Sequence, residues 1–233
     1  MAAFVLAWHL LSLRYPTFIL PSPQLVFERM ITLALDGTLA TYTLETLREA
    51  LAGLLLGGVV AGIFGFWIAH SRFADRLLSP MIVATQGIPF VAIAPLLFIW
   101  FGNGLLPRML MAGLIVFFPL AVNVVEGFRA VPPSLRDVFR AMSVTRLELL
   151  TKLELPAALP FLFAGLRVSV TLSVVGAITA EFFSAGRGLG YLVRLGSGLY
   201  DTPLVMAGVV AIIALALGLY ASVRLVERLM LIR

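Results

Sequence analysis

Apolar residues gather along this chain in runs of roughly twenty, the length a helix needs to cross the hydrocarbon core of a bilayer. Ala50–Ala69 is the first long run, with Gly53, Gly57, Gly58, Gly62 and Gly65 along it. Leu77–Phe101 follows, interrupted by Pro80, Pro89 and Pro95. Leu105–Val125 carries only Arg108 near its start, and Leu159–Phe183 only Arg167 near one end. Pro203–Val223 is the last, opened by a helix-starting proline. Met1–Leu13 is apolar but short. It reads as a truncated or tilted first span or as a signal-peptide core, although no positive region precedes it and no small-x-small site follows. The pattern predicts an all-α polytopic membrane protein with five or six transmembrane helices.

Composition agrees. Of 233 residues 61% are hydrophobic and 12% charged, and the mean hydropathy is +1.05. A soluble domain carries about 25% charge, so this chain has too little polar surface to cover a water-soluble globule. The formal charge is +5. The basic residues lie between apolar runs, which reads as membrane topology and not as nucleic-acid binding. There is no cysteine, which excludes disulfides, thiolate metal sites and a cysteine nucleophile. His9 and His70 are the only histidines, too few and too far apart in sequence for a histidine metal cluster.

Arginine and lysine placement sets the orientation. Gly127–Glu154 holds Arg129, Arg136, Arg140, Arg146 and Lys152; His70–Arg76 holds Arg72 and Arg76; the tail holds Arg224, Arg228 and Arg233. With alternating spans these fall on one side, expected to be the cytoplasm, where the C-terminus would also lie. Arg14, Arg29, Arg48, Arg108, Arg187 and Arg194 fall opposite.

The loop Val131–Pro160 is long and patterned for a connector. Ser134 stands three residues before Asp137, and Thr145 three before Glu148. Both pairs predict helix starts of the capping-box kind, giving short helices at about Ser134–Met142 and Thr145–Leu153 with a break near Ser143-Val144. Pro156 and Pro160 are expected to end the second helix and restart the chain into the next span. Leu147, Leu149, Leu150 and Leu153 flank Arg146, Glu148, Lys152 and Glu154. Such an amphipathic helix either enters a partner's groove or lies on lipid or on its own bundle.

These residues carry a resemblance. Asp137-Val138-Phe139-Arg140-Ala141-Met142-Ser143, nine residues, then Leu153-Glu154-Leu155-Pro156 resembles the cytoplasmic "EAA" signature of binding-protein-dependent ABC permeases. That signature is Glu-Ala-Ala, three residues, Gly, nine residues, Ile-x-Leu-Pro. Ala157-Ala158-Leu159-Pro160 and Ala164-Gly165-Leu166-Arg167 continue the likeness. Ala92-Ile93-Ala94-Pro95-Leu96, Trp100-Phe101-Gly102-Asn103-Gly104, Leu20-Pro21-Ser22-Pro23, Ala180-Glu181-Phe182 and Gly188-Leu189-Gly190-Tyr191-Leu192 are similar to the nitrate/sulfonate/taurine branch. The likeness runs from about Trp8 to Arg228. Asp137 departs from the usual Glu, Phe139 from the second alanine, and Ser143 from the glycine that eases a sharp turn.

The resemblance implies the transmembrane domain of a type I ABC importer in the bacterial inner (plasma) membrane, a subunit that is not itself an enzyme. It implies a second permease copy, two ATPases that bind ATP and Mg, and an extracytoplasmic solute-binding protein; this chain would hold no cofactor or metal. The absence of a G-x-x-x-x-G-K-[ST] loop fits, since nucleotide must then bind elsewhere. The coupling residues it implies are Asp137, Arg140, Ala141, Ser143, Thr145, Arg146, Leu147, Glu148, Leu149, Leu150, Leu155 and Pro156. The branch allows nitrate, sulfonates or taurine, and similar permeases carry riboflavin or thiamine-precursor pyrimidines. The organisation expected is a first span and extracytoplasmic segment over 1–45, a core permease over 46–228 with the coupling loop at 131–160, and a tail over 229–233.

Polar residues inside spans are costly in lipid and are pathway candidates: Thr85, Gln86, Pro89, Asn123, Ser173, Thr179 and Glu181. Most serines and threonines in helices bond back to their own backbone, and Glu181 either lines an outer gate, pairs with an arginine such as Arg187, the favoured reading, or marks the membrane interface. Pro89 and Pro95 predict kinks in the Leu77–Phe101 span. The competing function is a secondary transporter, or another polytopic membrane protein without an ATPase partner. Such a transporter usually shows ionisable residues deep in its spans and two-fold internal repetition, and neither is evident in the sequence.

Overall fold

The computed structural model describes residues 2–85, 87–184 and 186–231, among which every regular element is helical. The chain opens with α1 (Ala2–Ser12) and α2 (Pro23–Leu35). Ser22 caps α2 by accepting from the Leu25 N–H, with Pro23 in the first turn, where its missing donor costs nothing. At 11 residues, α1 is about 16 Å long, short of a bilayer core. The sixth span is therefore not among the crossing helices.

Helix α3 (Thr38–His70) begins well before the apolar run at Ala50. It passes through Glu45, Arg48 and Glu49 without interruption, so the expected boundary between residues 45 and 46 falls inside a helix. Charge marked the end of apolarity there and not the end of the element. After α3 come α4 (Arg72–Thr85) and α5 (Phe90–Phe101). These replace the single Leu77–Phe101 span with two pieces whose axes meet at 98°. Pro80 and Pro95 sit inside their helices, and Pro89 stands at the N-cap of α5. The break falls where a glycine and a proline fall together, at Gly87-Ile88-Pro89.

Helix α6 (Leu105–Arg129) follows. The long loop then forms α7 (Pro133–Ala141), α8 (Arg146–Leu149) and a π-helical turn (Leu150–Glu154) that runs directly into α9 (Leu155–Phe183). A short α10 (Leu189–Gly198) and the last span α11 (Thr202–Leu231) complete the chain. Because α11 continues to Leu231, the expected tail over 229–233 is not a separate piece within the described residues. Among the described residues four helical stretches are long and apolar enough to cross a membrane, and the bent α4–α5 pair makes a fifth when it is taken as one span.

The core of the bundle is α3, α6 and α9. Their backbones approach through small residues, as helices in lipid do. A Cβ on Gly57 would stand 2.5 Å from the Gly113 carbonyl oxygen, so glycine is what lets α3 touch α6. Ala61, Val116, Leu120, Val124 and Phe128 fill the space beside this contact. Helices α10 and α11 cover another side, where Leu192, Leu204 and Ala207 meet Val26 and Leu33 of α2. Leu55, Val59 and Ile63 form an outward stripe on α3, from 54 to 70% exposed, as a helix facing lipid or another subunit would present.

Candidate functional site

The loop between α6 and α9 is built from a proline-led helix start, one strained residue and one capping box. Helix α7 starts at Pro132-Pro133, and no side chain caps it. The expected box from Ser134 and Asp137 does not form, because the proline pair sets the helix start one residue earlier. Asp137 instead lies 3.6 Å from Arg140 on the exposed surface, a pair worth little. The helix closes on Met142 N–H to Val138 carbonyl and Ser143 N–H to Arg140 carbonyl bonds. Ser143 then takes φ +55°, the left-handed conformation in which helices commonly end on glycine. This is the position where the signature has glycine.

Helix α8 opens on a complete capping box. The Glu148 N–H donates to the Thr145 hydroxyl at 3.2 Å, and the Thr145 N–H donates to Glu148 Oε2 at 3.0 Å. Lys152 holds the other Glu148 oxygen at 2.9 Å. Lys152 first, and then the Thr145 donors, keep the Glu148 carboxyl down at about 2. The second helix does not stop at Pro156. The Leu155 N–H reaches back five residues to Leu150, and this widened turn accommodates a proline that a regular turn would clash with.

Glu154, only 5% exposed, sits where the loop joins the bundle. His70 Nε2 at the end of α3 lies 3.0 Å from its Oε2, and Arg136 Nε of α7 lies 3.0 Å from its Oε1. Arg136 also donates from Nη2 to the Phe128 carbonyl of α6 at 2.6 Å. Phe66 stacks on the His70 ring at 4.2 Å, and its carbonyl oxygen lies 2.9 Å from His70 Nδ1. Beside this cluster a cavity of about 900 Å³ separates Phe66 and His70 from Val144, Arg146 and Leu147. Sequence reasoning missed His70 and Arg136 as site residues and treated Glu154 as a flank. The signal was a charged residue between Leu153 and Leu155, a position that only a buried partner rationalises.

Of the coupling residues, Asp137, Arg140, Ala141, Ser143, Thr145, Arg146, Leu147, Leu155 and Pro156 are exposed. Glu148, Leu149 and Leu150 are half-buried, the last two turned toward the cavity. The exposed apolar side chains of the loop are Leu135, Val138, Met142 and Leu147.

The pathway candidates do not converge. Thr85, Asn123, Ser173 and Thr179 bond back to their own helices, to Met81, Pro119, Val170 and Val175. Pro89 lies exposed at the α4–α5 break, and Gln86 lies outside the described residues. Glu181 is fully enclosed and accepts from the Thr46 hydroxyl at 2.6 Å and the Gly190 N–H at 2.5 Å. It therefore ties α9 to α3 and α10, and faces neither an opening nor Arg187. Thr46 also accepts from the Leu189 N–H at 2.9 Å. Nearby, Arg108 donates to the buried Glu49 at 2.5 Å. The early start of α3 thus places an ionisable pair inside a span, contrary to the sequence expectation. Both groups are spent on each other, joining α3 to α6.

Comparison with known proteins places this geometry. Residues 53–232 match the family described as binding-protein-dependent transport system inner membrane component. The riboflavin transport system permease protein RibX of Chloroflexus aurantiacus is 41% identical over 93% of this chain and 81% of its own length. The formylaminopyrimidine transport permease protein ThiX of Halalkalibacterium halodurans is 31% identical over 92% and 85%. A chain from the inward-facing MetNI methionine ABC transporter superposes with a TM-score of 0.72 at 20% identity, covering 84% of this chain and 97% of that one, which establishes the shared fold. The chain belongs to the binding-protein-dependent family of inner-membrane transport components, as the non-catalytic permease subunit of an ABC importer whose ATP hydrolysis resides on a separate ATPase.

Proposed function

We propose that this permease carries a planar, heteroaromatic vitamin of the riboflavin kind into the cytoplasm. The observation that carries the reading is the 41% identity to a riboflavin permease over 93% of the chain. The chemistry of the spans supports it. Arg108 and Arg167, the guanidinium groups within the apolar stretches of α6 and α9, are taken by Glu49 and Glu227. Neither is left to meet an anionic solute. Uptake into proteoliposomes containing the assembled transporter, its binding protein and ATP tests it. Riboflavin should accumulate, and taurine, alkanesulfonates and formylaminopyrimidine should not. Accumulation of a sulfonate without riboflavin would reverse the assignment.

The working assembly we propose is two copies of this chain, two ATPases and one binding protein. Loop 131–160 and the C-terminus would lie in the cytoplasm, on the side richer in arginine. The ATPase would dock on the exposed apolar residues Leu135, Val138, Met142 and Leu147, a small patch rimmed by Asp137, Arg140 and Arg146. This moves the expected contact away from Leu149 and Leu150 toward Leu147. Replacing Met142 and Leu147 together with Asp should abolish co-purification of the P-loop ATPase. Retention of the ATPase by that variant would place the docking surface elsewhere.

A further inference from the structure

We infer that Glu154 is the positioning residue through which movement of the coupling loop is delivered to all three core helices at once. The inference rests on the loop being the ATPase-docking element. Glu154 belongs to the turn that starts α9, His70 ends α3, and Arg136 of α7 bonds the Phe128 carbonyl near the end of α6. One buried carboxylate therefore gathers α3 and α9 directly and α6 through a single arginine. The cavity of about 900 Å³ lies between the end of α3 and the turn carrying Val144, Arg146 and Leu147. Leu150 packs on the core cluster that holds Ala61 and Phe128, and the Glu154 contacts add to that packing a directional link from the loop to the end of α3.

The physics favours stiffness. The carboxylate is 5% exposed, so its pair with Arg136 acts in a low dielectric and is little screened, and His70 stands at hydrogen-bond distance from its other oxygen. Both of its oxygens are engaged, one by each partner. His70 is fixed in turn by the Phe66 carbonyl, by the tilted Phe66 ring over its face and by the Phe128 ring edge-on to it. Loss of the carboxylate charge would leave Arg136 and His70 without their common partner, while the exposed face of α7 and α8 that meets the ATPase would be untouched.

The test uses the complete transporter in lipid nanodiscs. The chain has no cysteine, so with cysteine-free partner subunits, and with the labelled copy diluted into unlabelled permease, two introduced cysteines report alone. Ser134→Cys on the exposed side of α7 and Phe73→Cys at the start of α4, three residues beyond His70, carry spin labels. The distance between them is read without nucleotide and with trapped Mg-ATP. The unsubstituted strut should give one narrow distance that nucleotide does not change. Glu154→Gln and His70→Leu should each still co-purify with the ATPase, yet give a broad distribution that shifts with nucleotide. His70→Leu leaves the Glu154–Arg136 pair in place, and it decides the matter if Glu154→Gln fails to assemble. Narrow, nucleotide-independent distances in both variants would overturn the inference, as would a shifting distance in the parent. Loss of the ATPase from either strut variant would also overturn it, by making the cluster a docking or folding element. Failure of the docking reading itself appears separately, as ATPase retention by the Met142 and Leu147 double-Asp variant.

Discussion

Thr145 and Glu148 satisfy each other at the start of the coupling helix, each backbone N–H donating to the other's side chain. Removing the hydroxyl leaves an orphan donor in the first turn of a helix of 4 residues. Thr145→Ala should weaken the helix by about 1 kcal/mol. Amide exchange over 146–150 in the reconstituted complex should accelerate about five-fold, with exchange in α6 and α9 unchanged.

The same pair makes the loop acid-sensitive. The Glu148 carboxyl is held at about 2, below its ordinary 4.5, chiefly by Lys152 and then by Thr145. A carboxyl lowered on folding contributes stability above its unfolded value and loses it as pH falls toward the folded one. Protection of the coupling helix should be level above about pH 5 and fall progressively between about pH 4.5 and pH 2. Glu148→Gln should flatten that acid limb. An identical profile in Glu148→Gln would trace the acid response to another carboxylate.

Ser143 holds a positive φ without being glycine. An L-residue pays roughly 1–2 kcal/mol for left-handed backbone, so Ser143→Gly should stabilise the α7 terminus by about 1 kcal/mol. Ser143→Val, branched at Cβ, should destabilise it. Thermal melting of the detergent-purified subunit should order the three as Gly, Ser, Val.

Two glycines on α3 should respond in opposite ways. A Cβ at Gly57 meets Gly113 backbone, whereas one at Gly62 meets nothing within 4 Å. Gly57→Ala should cost about 1–3 kcal/mol by forcing α3 off α6. Gly62→Ala should be neutral, or stabilising by up to about 1 kcal/mol through the helix backbone. Unfolding in mixed micelles separates them, and equal losses would mean that the α3–α6 contact is not the tight one.

Much of this was readable along the chain because it is local. Four of the apolar runs became helices long enough to cross and the fifth became the bent α4–α5 pair, while Thr145-x-x-Glu148 became a cap, since each depends on residues within a turn or two. Ser134-x-x-Asp137 misled because Pro132-Pro133 competed for the same helix start. Helix α2 was signalled by Ser22-Pro23 and passed over for lack of a long apolar run. The pairs that join helices were illegible, because His70 and Glu154 stand 84 positions apart, and Thr46 and Glu181 stand 135 apart. A polar residue in a span announces that it needs a partner without naming it. Glu181 was therefore singled out as unusual, with an opening, an arginine pair and the membrane interface all left as its place, and its contacts put it at the joint between α3, α9 and α10.

The π-helical turn has a larger result than relieving Pro156. It keeps the chain helical from Arg146 to Phe183, 38 residues, or about 57 Å of rod. One end of that lever adjoins the proposed docking surface, and the other carries the Glu181 clasp on α10. Two ligands that grip opposite ends of one lever must obey reciprocity. In the proposed assembly, with a solute-loaded binding protein at the α10 end, by whatever factor that protein changes the grip of the ATPase on the loop, binding of the ATPase to the loop must change the grip on that protein by the same factor.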